Sequence, residues 1–539
     1  MPVRSDWLLG RRSFLALWMG LGAPAAMPRR RRERPRHGGA LKHIGLEPPT
    51  FDIHGPAFDS TQLMSSFTRR GLFKFVNGAR YGPSDFTLIP DLAIKATRSR
   101  DGRVYTLALR PGVRWDQKAP VNGRLLVAAD VKFSLERALR KSPHASLLGS
   151  VEAIEAPDPH TVRVHLRDPF APFLHNLAEP WTAILPPEVE DTLGHQRSAS
   201  SLVGCGPFAL ERYEPGVKAV FVRNPGYYQR GLPYLDEVEW IFLENPSTRL
   251  SLFRAGQLDI PFHDARVAPS DAAILTASDP PYPVVEWSRF GGRTLGMRAD
   301  RPPFSDVRVR RAVSLAIDRK KWAARHLDGE GFEGEGPVPR AMRQWKLAPN
   351  ELGEGARYLE HDPGLARQLL AEAGLANGLK VKCATWPGYG QDHMEALWLL
   401  VADLKGIGVD LVVMEQDYAS YARSCSQGTY EDATWDSSPL FTEVDSYLYS
   451  LYRGGLVTNR SRVADPELDS LLEAQRRVAG PPRKRLIADI QRRAAAQVYY
   501  IHAPIPKSVA SWTPRVRNYA PRNSLDRGAQ LEVIWLDEP

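Results

Sequence analysis

The alternation of apolar and polar positions is clearest between residues 203 and 228. Phe208, Leu210 and Tyr213 mark one strand, and Val217, Ala219 and Phe221 mark a second, with Glu214-Pro215-Gly216 as the turn between them. Gly204-Cys205-Gly206-Pro207 in front of the pair demands a tight turn of specific shape. Asn224-Pro225-Gly226 ends the second strand and is followed by Tyr227 and Tyr228. Period-two alternation returns over residues 103–109, and in a hairpin of 151–154 with 161–166 that turns at Asp158-Pro159-His160. Elsewhere the spacing is helical. Asp130 caps a helix over 130–140 whose inward stripe is Val131, Leu135 and Ala138; Asp306 caps one with Val309, Ala312, Val313 and Ala316 inward. Asp362 at the cap, Pro363 at the first helical position and Gly374 past the end delimit a third. Leu397, Leu400 and Leu404 stripe a helix over 392–405, and Gly406-Ile407-Gly408 leads directly into a strand over 409–414, which is αβ architecture. Asp465-Pro466 opens another helix, and a last long one over 483–498 runs into a strand at 498–501.

At 539 residues the chain is too long for one core, and two or three domains are expected. The formal charge of +9 invites a nucleic-acid reading, but seven of those charges fall in the first 36 residues, where nine arginines face Asp6 and Glu33. The remaining body carries about +2, so no nucleic-acid partner is expected. Arg11-Arg12-Ser13-Phe14-Leu15 followed by the apolar run 14–27 looks like a twin-arginine export leader, too short to span a bilayer comfortably. The positive block Arg29 to Arg32, with Arg34 and Arg36, opposes translocation. Cys205, Cys383 and Cys425 have no metal-ligand spacing and allow at most one disulfide. No metal or other cofactor is expected.

GCGPF, about twenty residues before NPGYY, resembles the G-T-G-P-[FY] … N-P-x-Y-[WF] signature of the solute-binding proteins of peptide-, nickel- and opine-type ABC importers, extracellular solute-binding protein family 5. Cys205 stands where that family has Thr, and Tyr228 where it has Trp. DVKFSLER at 130–137, MRADRPPFSDVRVRRAVSLAIDR at 297–319 and HDPGLARQLLAEAG at 361–374 are similar to further family strings, in family order over residues 38–505. The resemblance implies an α/β, two-lobed periplasmic-binding-protein fold with a hinge, in which a large lobe carries an extra small domain. The implied division is a leader at 1–37, a large lobe from 38–60, 181–284 and 486–539, a small inserted domain at 61–180, and a third, ligand-binding domain at 285–485.

The resemblance also implies capture of a small solute, peptide-like or opine-like, in an interlobe cleft, and its delivery to a membrane permease and ATPase by a periplasmic monomer. A sensing or peptide-chaperone role on the same fold is the alternative. A hydrolase is disfavoured because no G-x-S-x-G, H-E-x-x-H or cysteine–histidine pattern occurs. Two aromatic loops are candidate solute contacts: Trp386 and Tyr389 in 385–390, and Trp435 in 430–447. Peptide-binding members place an aspartate in the second loop, against the peptide amino terminus. Asp436 comes early for that role, and Glu443 and Asp445 come late, so all three acids remain candidates.

Overall fold

The computed structural model describes residues 34–537 apart from 56–58, 194–197, 244, 262–268, 289, 291, 327–330, 333–335 and 507. The export-like pair Arg11-Arg12, the apolar run and the block Arg29 to Arg32 lie outside the described residues. No helix among the described residues is long and apolar enough to cross a membrane.

Three sheets organise the molecule. The first has the order Ala40–Gly45, Glu237–Phe242, Lys218–Arg223, Phe208–Glu214. The first pair is parallel and the others antiparallel. The glycines of GCGPF allow a close backbone approach: a Cβ on Gly204 would stand 1.7 Å from the Thr68 carbonyl oxygen, and one on Gly206 2.5 Å from that of Phe67. Gly206 N donates to that Thr68 oxygen at 2.7 Å, and Phe208 N donates to Phe67 O at 3.1 Å. The downstream NPGYY folds back on the same turn. Asn224 Nδ2 donates to Gly206 O at 2.8 Å, the Tyr227 hydroxyl to Glu532 at 2.5 Å and the Tyr228 hydroxyl to Asp91. The two halves of the motif are therefore one structural unit, which also anchors the C-terminal tail.

The second sheet is antiparallel, in the order Ala93–Arg98, Val104–Leu109, Thr161–Leu166, Val151–Asp158. The helix Ala128–Lys141 packs on it through Val131, Leu135 and Ala138. Its N-cap is Val127, and Asp130 lies three residues inside. The Asp130 carboxylate reaches back to Val127 N (2.9 Å) and takes Trp115 Nε1 (3.2 Å) and Arg124 (2.7 Å). The aspartate still satisfies a free N–H of the first turn, but from inside the helix. The caps at Asp306, Asp362 and Asp465 are as the sequence predicts.

The third sheet has the order Val409–Glu415, Leu379–Thr385, Ala433–Ser437, Arg293–Met297, Tyr500–His502. The first three strands are parallel, and Arg293–Met297 runs antiparallel to both of its neighbours. Helices Val307–Ala316, Pro363–Glu372 and Gln391–Lys405 bury their stripes in the core beneath this sheet. One expected assignment changes here. The segment from 486 onward does not return at once to the large lobe, because Tyr500–His502 pairs with Arg293–Met297. The preceding helix Gly480–Gln497 packs on helix Pro466–Arg477 and the turn Gly353–Leu359. The return begins at Ser508–Ser511, which pairs antiparallel with Val284–Trp287 as a two-stranded ribbon. Beyond the ribbon, Thr513 N donates to Asp259 O at 2.9 Å, and Arg515 pairs with the Asp259 carboxylate at 2.7 Å.

Candidate functional site

Because Leu379–Thr385, Val409–Glu415 and Ala433–Ser437 are parallel, their carboxyl ends share one edge of the third sheet. The loops that follow begin at Trp386, Gln416 and Ser438. In open α/β sheets this edge is where ligands sit, since the loops leave it free of connections within the layer. Arg293, where the ribbon feeds into the sheet, lies on the same edge opposite Ser437.

The first loop is an aromatic corner. Trp386 meets Tyr389 edge-on at 4.9 Å between centroids and Tyr418 at 4.6 Å. Gly388 is required beneath it, since a Cβ there would stand 2.2 Å from the indole. The Tyr389 hydroxyl donates to Asp436 Oδ1 at 2.9 Å. Burial, followed by the nearby Asp436 charge, pushes the Tyr389 phenol well above its ordinary range, so it stays a neutral donor. Asp436 Oδ2 takes Arg460 Nε at 3.1 Å. Burial pulls the Arg460 guanidinium down, but Asp436 outweighs it and keeps the group charged.

Asp59, from the N-terminal part of the chain, lies close enough to Tyr418 of this corner for its charge to act there. A cavity of about 70 Å³ is lined by Asp59, Leu63, Trp287 and Phe290, by Leu440 from the third domain, and by tail residues 522–525 and 527. A smaller one of about 10 Å³ lies beside Arg293, Ser438, Tyr447 and His502.

Trp386, Tyr389 and Asp436 therefore come together, and the three other candidates do not join them. Trp435 is fully buried, in the core beneath the sheet, and its Nε1 donates to His393 O at 2.9 Å. Strand alternation sends Trp435 and Asp436 to opposite faces, and the helix Gln391–Lys405 covers the tryptophan's face. Glu443 is consumed in capping the helix Val444–Tyr452 and in an ion pair with Arg483 at 2.7 Å. Asp445 is fully buried and accepts from Arg476 at 2.8 and 2.9 Å. These two acids hold helices together. The residue the sequence analysis misses is Arg460, whose partner Asp436 lies 24 positions away; no local pattern marks it.

The loop after Asp436 also meets the small-domain side of the molecule. Thr442 N donates to Glu179 Oε1 at 3.0 Å, and the Thr442 hydroxyl bonds His175 Nε2 at 2.8 Å. Burial drives Glu179 up to about 7, opposed by the Thr442 hydrogen bonds and aided by Glu443 and Asp526. Burial, reinforced by Arg483, takes His175 down to about 3, so it is neutral.

The chain is similar to known proteins in sequence and in fold. The glutathione-binding protein GsiB of Salmonella typhimurium strain LT2 is 26% identical over 404 residues, which is 71% of this chain and 74% of that protein. Di/tripeptide-binding protein 2 of Pseudomonas aeruginosa is 29% identical over 378 residues, covering 66% and 68%. Among solved structures, the periplasmic binding protein DppA of Helicobacter pylori in complex with the peptide STSA superposes with a TM-score of 0.80 at 23% identity, over 93% of this chain and 99% of that one. AgaA of A. tumefaciens R10, in complex with agropinic acid, gives 0.79 at 25% identity over the same shares. The model of the bacterial extracellular solute-binding proteins, family 5 (middle), matches residues 87–459. The chain belongs to the family 5 bacterial extracellular solute-binding proteins.

Proposed function

We propose that the protein binds a small peptide-like or opine-like solute between the third domain and the large lobe, and presents it to the permease and ATPase of an ABC importer. The observation that carries this reading is the sheet edge where Trp386, Tyr389 and Asp436 converge, with Leu440 of the loop that follows lining one cavity together with Asp59 and Leu63, and with the paired ribbon leading into the sheet. Two lobes on such a ribbon close around a ligand and exclude water from it. The aromatic corner supplies rigid apolar contact at little entropic cost. The protein acts as a monomer in the periplasm and performs no chemistry on what it binds. Arg11-Arg12 directs its export by the twin-arginine route. The relatives named for glutathione and di/tripeptides, and the structure holding agropinic acid, support that solute class.

Native mass spectrometry of the protein purified from its source tests this directly. A small-molecule adduct is expected that leaves on denaturation and whose rebinding raises the melting temperature. A protein that carries no adduct, and that no member of a panel of peptides and opines stabilises, is not a solute carrier of this class.

A further inference from the structure

We propose that Arg460 sets the solute class, and that the solute carries a carboxylate received by the outer edge of the Arg460 guanidinium. The proposal rests on the reading that this sheet edge binds a solute, and it deepens that reading from shape to charge.

Asp436 has little acceptor capacity left. Its Oδ1 accepts from the Tyr389 hydroxyl at 2.9 Å and from Ser437 N at 2.8 Å, and its Oδ2 accepts from Arg460 Nε at 3.1 Å. A carboxylate has about four acceptor sites. Three are taken here, one of them by a cation. A ligand ammonium approaching Asp436 would meet an occupied group with a guanidinium beside it, and like-charge repulsion would oppose it.

Arg460 has the opposite surplus. Nε is spent on Asp436, and Nη1 donates to Val457 O at 2.8 Å. Nη2 has no hydrogen-bond partner among the described residues, yet it is not one of the enclosed unpaired atoms, and the side chain is 25% exposed. An arginine has five N–H donors in a fixed fork, so donors remain at the accessible side. The neighbouring phenols, the Cys425 thiol, which burial pushes up, and His144 do not compete for them. The phenols of Tyr389, Tyr418 and Tyr421 stay protonated through burial. His144, on the small-domain side, is held neutral at a value near 4 by burial and then by the Arg460 charge itself. The vacant polar capacity at this edge is therefore donor capacity on a cation, which suits a carboxylate through charge-assisted hydrogen bonds. Free acids, whether peptides with an open carboxyl end or opine acids, are selected over amines and neutral sugars.

The test is isothermal titration with three probes, reduced glutathione, trialanine and agropinic acid, each beside its carboxyl ester. At least one acid is expected to bind, its ester roughly 10- to 100-fold more weakly, and Arg460→Gln to lower the acid's affinity by a similar factor with no matching loss for the ester. Arg460→Lys, which keeps the charge, should recover part of the loss. The acid–ester comparison on the unaltered protein stands even if a variant fails to fold. Esters that bind as tightly as their acids, or an Arg460→Gln protein that keeps the acid's affinity, would overturn the role of Arg460 while leaving the edge as a solute site. A protein that binds none of the acids and none of the esters would overturn the peptide-like or opine-like class itself.

Discussion

Trp435→Ala separates a core residue from a solute contact. The indole is fully enclosed beneath the third sheet, and its Nε1 donates to the His393 carbonyl at 2.9 Å. Truncating a buried tryptophan costs about 3–5 kcal/mol in lost transfer energy and cavity formation. Leaving the His393 carbonyl without its donor adds about 1 kcal/mol. In a domain of this size each kcal/mol lowers the melting temperature by roughly 2–4 °C, so a fall of roughly 10–20 °C is expected in differential scanning calorimetry. The same preparation, titrated below its transition with whichever solute stabilises the unaltered protein, should show an affinity within about threefold of the original, because Asp436 and Tyr389 lie on the other face of the strand. A melting temperature within about 2 °C of the original, with affinity falling tenfold or more, would refute the core assignment and put the indole in the groove.

Glu179→Gln should change the pH dependence of stability. Burial raises the carboxyl from 4.5 to about 7, so between those values the folded form holds a proton that the unfolded form has released, and stability falls as pH rises through that window, by up to about 3 kcal/mol. The glutamine variant should therefore melt higher than the original at pH 8 and match it at pH 4.5; parallel pH profiles for the two proteins would contradict the assignment. Gly204→Ala should cost about 3 kcal/mol or prevent folding, because the new methyl group meets the Thr68 carbonyl; an unchanged urea midpoint would show that the turn relaxes freely.

How far the fold was legible depended on whether each signal was local. The caps at Asp306, Asp362 and Asp465 were readable because an N-cap and its helix are adjacent in sequence. The hairpin of Phe208–Glu214 with Lys218–Arg223 was readable because its turn lies between its strands. Asp130 was half legible: the sequence showed an acid serving the start of a helix, but not that it did so from the third helical position. The partner of Tyr500–His502 is about two hundred residues upstream, and nothing in the alternation of 498–501 names it. At the site, Trp435 and Asp436 read as neighbours in one loop; the structure makes them part of a strand, whose alternation sends them to opposite faces, and which of them is covered depends on where the helix Gln391–Lys405 packs. Glu443 and Asp445 looked available because Arg483 and Arg476 lie 40 and 31 positions away.

The pairing of Val284–Trp287 with Ser508–Ser511 bears on how such a molecule moves. Two separate tethers would let the bodies twist, slide and splay independently. Stitched together by a ladder of backbone hydrogen bonds, the outgoing and returning chains share their torsion, and the allowed excursion narrows toward a single swing. One distance measured across the opening would then report the whole motion, and a proline placed in either ribbon strand would loosen its direction before it weakened either body.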